Sequence, residues 1–194
     1  MWGFFLFTFI PRMLCYNKPM FIVYILVIVI LLGLALTLLS GYRNGAPYVP
    51  SSMAAVKHML ELADVQPGEV VLDMGSGDGR VLIEAAKDFD ARGLGIEITP
   101  LLYVISKFKV ASKGMSDKIE LRRENMYDAD ISSADVVTMF LMQDTNQKLK
   151  EKLHTELKPG TRIVSHYFTF DDWQPVKTDE KYHNNLYIVP ENNS

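Results

Sequence analysis

The chain has 194 residues, with 20 Lys and Arg against 23 Asp and Glu, one cysteine (Cys15) and a mean hydropathy of +0.07. That much apolar surface excludes a disordered chain, and a lone cysteine excludes a disulfide-stapled secreted module. A net charge of −3 argues against gripping nucleic acid by bulk electrostatics.

A positive hydropathy beside 22% charged residues marks an average over two materials. Residues 1–40 hold two charged side chains, Arg12 and Lys18; subtracting them leaves 18 basic and 23 acidic residues over 41–194, a net −5. Residues 20–39, MFIVYILVIVILLGLALTLL, carry no charge. As a helix, twenty residues cover about 30 Å, the thickness of a bilayer's hydrocarbon core. A core helix in so small a protein would show a polar stripe. A cleaved signal peptide would have a shorter apolar run and a small-residue cleavage site, which Leu38-Leu39-Ser40 is not. The expectation is a retained single-pass transmembrane helix at 20–39, preceded by an aromatic interfacial segment at 1–19. Because a net −5 domain attracts neither anionic lipid nor nucleic acid in bulk, recruitment to a membrane rests chiefly on this anchor.

Residues 40–50 are rich in Gly, Pro and Asn and read as a linker. Ser51 or Ser52 can cap a helix whose apolar positions Val56, Met59, Leu60 and Ala63 fall at i, i+3, i+4, i+7. After a Pro67-Gly68 turn the pattern predicts a strand over 69–73, a helix over 79–87, a strand over 93–96 and a helix over 100–112. Strands over 118–121 and 134–140 follow, then a helix over 144–157 with Leu149, Leu153 and Leu157 on one stripe. A Pro159-Gly160 turn leads to a strand over 161–167, and the tail has room for a final hairpin. This alternation predicts an α/β domain over 51–194 with a doubly wound parallel sheet.

The first strand runs into Asp73-Met74-Gly75-Ser76-Gly77-Asp78-Gly79-Arg80. The three glycines let the backbone turn tightly and approach a ligand, and the helix that follows offers free N–H groups. A dinucleotide fingerprint wants a third glycine where Arg80 stands, and no Walker lysine is present. Glu97 closes the second strand, placed to receive the two hydroxyls of a ribose. Asp73, also at a strand end, suits a cationic amino group. Adenosylmethionine offers a ribose, an ammonium, a carboxylate and a sulfonium, and fits this set better than a dinucleotide does.

The run from Asp73 to Gly79, followed by Gly95-Ile96-Glu97, resembles motifs I and II of class I adenosylmethionine-dependent methyltransferases, whose sheet is Rossmann-like. With Pro47-Tyr48-Val49-Pro50-Ser51-Ser52, Ala134-Asp135-Val136-Val137-Thr138, the Pro159-to-His166 segment and Trp173, the chain resembles a narrower group. These are the small membrane-anchored protein-lysine methyltransferases of the ATP synthase c-subunit and adenine nucleotide translocase type, with prokaryotic relatives. The resemblance implies S-adenosyl-L-methionine as cofactor, bound by Asp73, Gly75, Ser76, Gly77, Gly79 and Glu97, with residues 47–52 closing over it. The acid that usually pairs with the adenine amino group is Asn125 here, and Glu124 beside it is the alternative.

Methyl transfer to an amine needs an aligned, neutral nucleophile in a dry channel. Tyr48, Phe140, His166 and Tyr167 are the candidates for positioning the acceptor, each with an innocent reading as core or loop anchor. No Asn/Asp-Pro-Pro-aromatic tetrapeptide follows the fourth strand, where Leu141-Met142-Gln143-Asp144 stands, so adenine amino methylation is disfavoured. The four histidines show no metal-ligand spacing. The expected acceptor is a lysine on a membrane protein, with no nucleic-acid partner and no metal. A small-molecule or lipid-headgroup methyltransferase, and a non-catalytic tethered binding or assembly protein, remain open. Since adenosylmethionine is kept inside, the domain is expected to face the cytoplasm, or the matrix of a mitochondrion. Arg12 and Lys18 before the anchor weakly favour the reverse orientation.

Overall fold

The computed structural model describes residues 18–43 and 48–191, and along the first helix the side chains of 20–33 and 35. The chain divides into two compact units, Met1–Ser40 and Gly41–Ser194. In the first, helix α1 spans Lys18–Arg43, longer at both ends than the apolar run alone. Its described side chains run unbroken only over 20–33, and among the described residues no helix is long and apolar enough to cross a membrane. Of the expected interfacial segment, residues 1–17 lie outside the described residues, while Lys18 and Pro19 open the helix.

The second unit holds α2 (Met53–Leu62), β1 (Val70–Met74), α3 (Arg80–Asp88), β2 (Arg92–Ile96), α4 (Pro100–Ser112) and β3 (Ile119–Arg122). Then come β4 (Val136–Met139), α5 (Gln143–Glu156), β5 (Arg162–His166), β6 (Lys177–Asp179) and β7 (Asn184–Ile188). The strands form one sheet in the order β3-β2-β1-β4-β5-β7-β6. The first five are parallel, as the strand–helix alternation predicts. Ser52 is the cap of α2, its Oγ accepting the Ala55 N–H at 3.2 Å.

The terminal hairpin departs from a fully parallel sheet. β7 pairs antiparallel with β5, and β6 pairs outside it. Burial explains the order: Asn184, Asn185, Leu186 and Tyr187 are buried, whereas Lys177 and Thr178 are exposed. The apolar strand takes the inner place, and the short polar one blunts the edge.

Alternation along each strand feeds two cores. Leu72, Met74, Ile96, Val137, Met139 and Ile163 pack under Leu149, Leu153 and Leu157, so the stripe read over 144–157 faces the sheet. On the other face Val71, Val136 and Val164 meet Val56, Met59 and Leu60 of α2 and Leu82 and Ala86 of α3. Trp173 joins the first core against Phe170 and Tyr187.

Register sets up what lies at the strand ends. Asp73 stands between Gly95 on β2 and Thr138 on β4. A Cβ on Gly95 would come within 2.6 Å of Leu121, 2.7 Å of Leu82 and 2.9 Å of the Ser76 hydroxyl. Only glycine lets α3 and the loop after β1 sit this close to the sheet.

Candidate functional site

The loop from β1 to α3 turns on Gly75, Gly77 and Gly79, with φ of 80°, 54° and 77°. Side chains rarely adopt this region, and Gly79 uses it as the N-cap of α3. The N–H groups of Gly75 and Ser76 both donate to the Ile96 carbonyl at 2.9 Å. Glu97 does the rest: Oε2 accepts the Gly77 N–H at 2.9 Å and Oε1 accepts the Thr99 N–H at 2.7 Å. Thus the acid at the end of β2 fixes both the glycine turn and the entry to α4. Each oxygen keeps a lone pair beyond these bonds.

Asp73 is buried at the base of the turn, its Oδ1 accepting the Thr138 hydroxyl at 2.9 Å. Burial pushes its carboxyl up to about 7; the Thr138 bond opposes this, and Glu97 and Asp78 add to it. Ser76 Oγ is buried without a protein hydrogen-bond partner. Across the turn, the Leu141 side chain would lie 3.3 Å from a Cβ on Gly75.

Tyr48 lies on the same loop, its ring 2.7 Å from where a Cβ on Gly77 would stand. The strap it belongs to is tied down by charge. Arg80 donates from Nε and Nη2 to the Asp78 carboxylate, both at 2.9 Å, and from Nη1 to the Ser51 carbonyl at 2.7 Å. Lys109 of α4 reaches Asp78 at 2.6 Å. Burial opposes the Asp78 charge, but the bonds from Arg80 and Lys109 overcome it and hold the carboxyl well below the usual carboxylate range. Burial raises the Tyr48 phenol, with Asp78 adding to the effect.

A second group gathers at the ends of β4 and β5. Phe140 packs edge-on against His166 at 4.7 Å between centroids and stacks on Tyr167 at 5.8 Å. Tyr167 is a non-glycine residue held at φ 64°, its N–H bonded to the His183 carbonyl, so its side chain leaves the strand and is exposed. His166 is buried, with Nδ1 2.7 Å from Asn184 Oδ1, and burial lowers its pKa against the opposing Asn184 bond.

A family model described as the ANTKMT methyltransferase domain matches residues 73–177. The chain belongs to this methyltransferase family. Within its wider kin it is 40% identical over 158 residues to a protein-lysine N-methyltransferase of Saccharolobus islandicus, covering 78% of this chain and 98% of that one. It is 33% identical to the adenine nucleotide translocase lysine N-methyltransferase of mouse, covering 73% of this chain and 64% of that one. Among solved structures it is similar to an RNA methyltransferase from Salinibacter ruber in complex with S-adenosyl-L-homocysteine. There the TM-score is 0.71 at 43% identity, with 74% of this chain and 95% of that one covered.

In this methyltransferase the sequence-expected residues fall into three places. Asp73, Gly75, Ser76, Gly77, Gly79 and Glu97 surround one turn, with Tyr48 over it. Phe140, His166 and Tyr167 form the aromatic group. Asn125 follows β3, where its Oδ1 accepts the Tyr127 N–H at 3.2 Å in a local turn, while the neighbouring Glu124 Oε1 is buried without a partner. Sequence reasoning did not find the Asp78–Arg80–Lys109 network. Two charged residues inside a glycine loop that must be buried were its only trace. Among the described residues no cluster of His, Cys, Asp or Glu is arranged to hold a metal.

The raised Asp73 pKa makes a stability statement. The unfolded chain ionises this group near 3.8 and the folded chain near 7, so its contribution is complete below the lower value and is lost as pH rises to the higher. Asp73→Asn keeps an acceptor for Thr138 and removes the charge. In urea unfolding it should stabilise the protein at pH 8 by up to about 4 kcal/mol and leave it nearly unchanged at pH 4. Equal midpoints at pH 8 would show that the buried carboxylate carries no penalty.

Proposed function

We propose that the protein is a membrane-tethered enzyme that transfers the methyl group of S-adenosyl-L-methionine to a lysine amine of a membrane-associated protein. The 40% identity along 98% of the Saccharolobus protein-lysine N-methyltransferase is the observation that carries the acceptor class. The mouse relative, named for a translocase, supports the membrane-protein substrate. The charge-free run 20–39 within helix Lys18–Arg43 supports the tether. An RNA acceptor is disfavoured by the net −5 of residues 41–194.

The residues around the glycine turn fit this cofactor. Asp73 is a buried carboxylate beside the Thr138 hydroxyl and influenced by two more acids, Glu97 and Asp78, so an ammonium would compensate a charge that these groups leave uncompensated. Glu97 has lone pairs to accept two ribose hydroxyls, and the orphaned Ser76 hydroxyl lacks only a ligand. Of the two residues offered for the adenine amino group, Glu124 holds the unspent acceptor. When bound, the cofactor supplies a methyl carbon already activated by its sulfonium.

The chain's own task is then to present a neutral amine in line with that carbon. Phe140, Tyr167 and Tyr48 supply apolar walls that disfavour an ammonium and lower the acceptor's pKa. His166 holds the aromatic pair in place from beneath, positioning rather than exchanging protons with the acceptor. The domain faces the compartment that holds adenosylmethionine, cytoplasm or matrix, with the N-terminus across the bilayer.

Two measurements test this reading. Full-length protein incubated with methyl-labelled adenosylmethionine and membranes from cells lacking the gene should label a protein band that yields methyl-lysine on hydrolysis. Asp73→Asn should lower that rate about tenfold or more. Label recovered instead in the lipid extract or in nuclease-sensitive material would overturn the acceptor. For topology, Cys15 in intact cells or organelles should react with an impermeant thiol reagent; its protection together with protease access to the domain would reverse the orientation.

A further inference from the structure

Helix α4 carries apolar residues on two faces, and the interior takes only one of them. Leu102, Ser106 and Val110 are buried, and a Cβ on Gly79 would lie 3.3 Å from Ser106 and 3.9 Å from Val110. The glycine turn therefore packs against this side. On the outer side Leu101, Val104, Ile105 and Phe108 stand at i, i+3, i+4, i+7 and are 48%, 61%, 36% and 74% exposed. Phe108 is more exposed than any other large apolar residue described. A contiguous apolar stripe of this kind on a domain with two filled cores marks a surface that meets something other than water.

We propose that the outer face of α4 docks on the headgroup region of an anionic bilayer, holding the glycine turn and its strap beside the membrane. This deepens the membrane-substrate reading and rests on it. Charge selects the occupant. Residues 98–116 contain Lys107, Lys109 and Lys113 and no acid, so the helix is basic within a domain of net −5. Lys109 is held by Asp78, and Lys107 lies over the Tyr103 ring. A basic amphipathic helix gains from anionic lipid, whereas a two-fold contact with a second copy would set the same lysines against each other. Tyr48, seated over Gly77, and Val49 and Met53 near it in sequence are exposed as well. The bulk charge of the domain thus hides a local site for the surface it repels on average.

The test uses the full chain in vesicles of phosphatidylcholine and phosphatidylglycerol. Nitroxide labels are placed on Cys15→Ser chains at Phe108→Cys, Val104→Cys and, as a distant control, Lys158→Cys. Labels at 108 and 104 should collide with oxygen several-fold more than with a water-soluble nickel chelate, relative to the label at 158. Equal, water-like accessibility at all three positions overturns the proposal. Protection of 104 and 108 from both reagents overturns it in favour of a protein partner or second copy. Extraction of the unlabelled chain by alkaline carbonate would sink the transmembrane tether instead, and the depth at 108 still decides whether α4 meets lipid.

Discussion

One carboxylate holds the centre of this domain together. Glu97 takes the N–H of Gly77 with one oxygen and that of Thr99 with the other, so the turn into α3 and the start of α4 are fixed by the same side chain. Without it, the Gly77 and Thr99 N–H groups would both lose their acceptor, and buried N–H groups left unpaired cost about 1–3 kcal/mol each. Because Glu97 closes β2 and Asp73 lies in the adjoining β1, parallel register alone brings both acids to the same end of the sheet. The position of the site follows from sheet topology, and Glu97 together with the Ile96 carbonyl sets the path of its turn.

Stability and function pull against each other at Asp73. A carboxyl raised to about 7 by burial is a cost to the folded chain at neutral pH, offset only partly by the Thr138 hydroxyl. Such a cost agrees with the proposal that Asp73 is placed for a ligand of opposite charge. Asp78, three residues past the first glycine in the same loop, shows the contrast. It is also buried, yet Arg80 and Lys109 neutralise it, and its work is to hold the strap through the Ser51 carbonyl. Two buried aspartates five residues apart thus have opposite electrostatics.

Much of this was legible from the amino-acid order. Strand and helix alternation gives the parallel sheet within a residue or two at most boundaries, and the Leu149, Leu153, Leu157 stripe packs on the sheet as its spacing requires. The end of the fifth strand reads one residue too long because Tyr167 continues an apolar run, while its backbone has already turned to φ 64°. The inner place of β7 depends on comparing two short strands for burial, which periodicity alone does not rank. α4 is the instructive case: Leu101, Val104, Ile105 and Phe108 have the spacing of a core face, yet the structure buries the alternative row through Ser106. Spacing shows that a helix has an apolar face but not which neighbour takes it. Likewise the seating of Tyr48 over Gly77 and the Arg80 bond to Ser51 join parts of the chain that carry no shared pattern.

The claim on which the rest turns is that Asp73 is a buried, protonatable acid awaiting a cationic cofactor. Its carboxyl can be titrated directly by carbon-13 NMR of aspartate-labelled full-length protein, with and without S-adenosyl-L-methionine. The expected result is a midpoint near 7 in the free protein that falls well below it when the cofactor is present. A midpoint in the ordinary aspartate range, or one that the cofactor does not move, would contradict it.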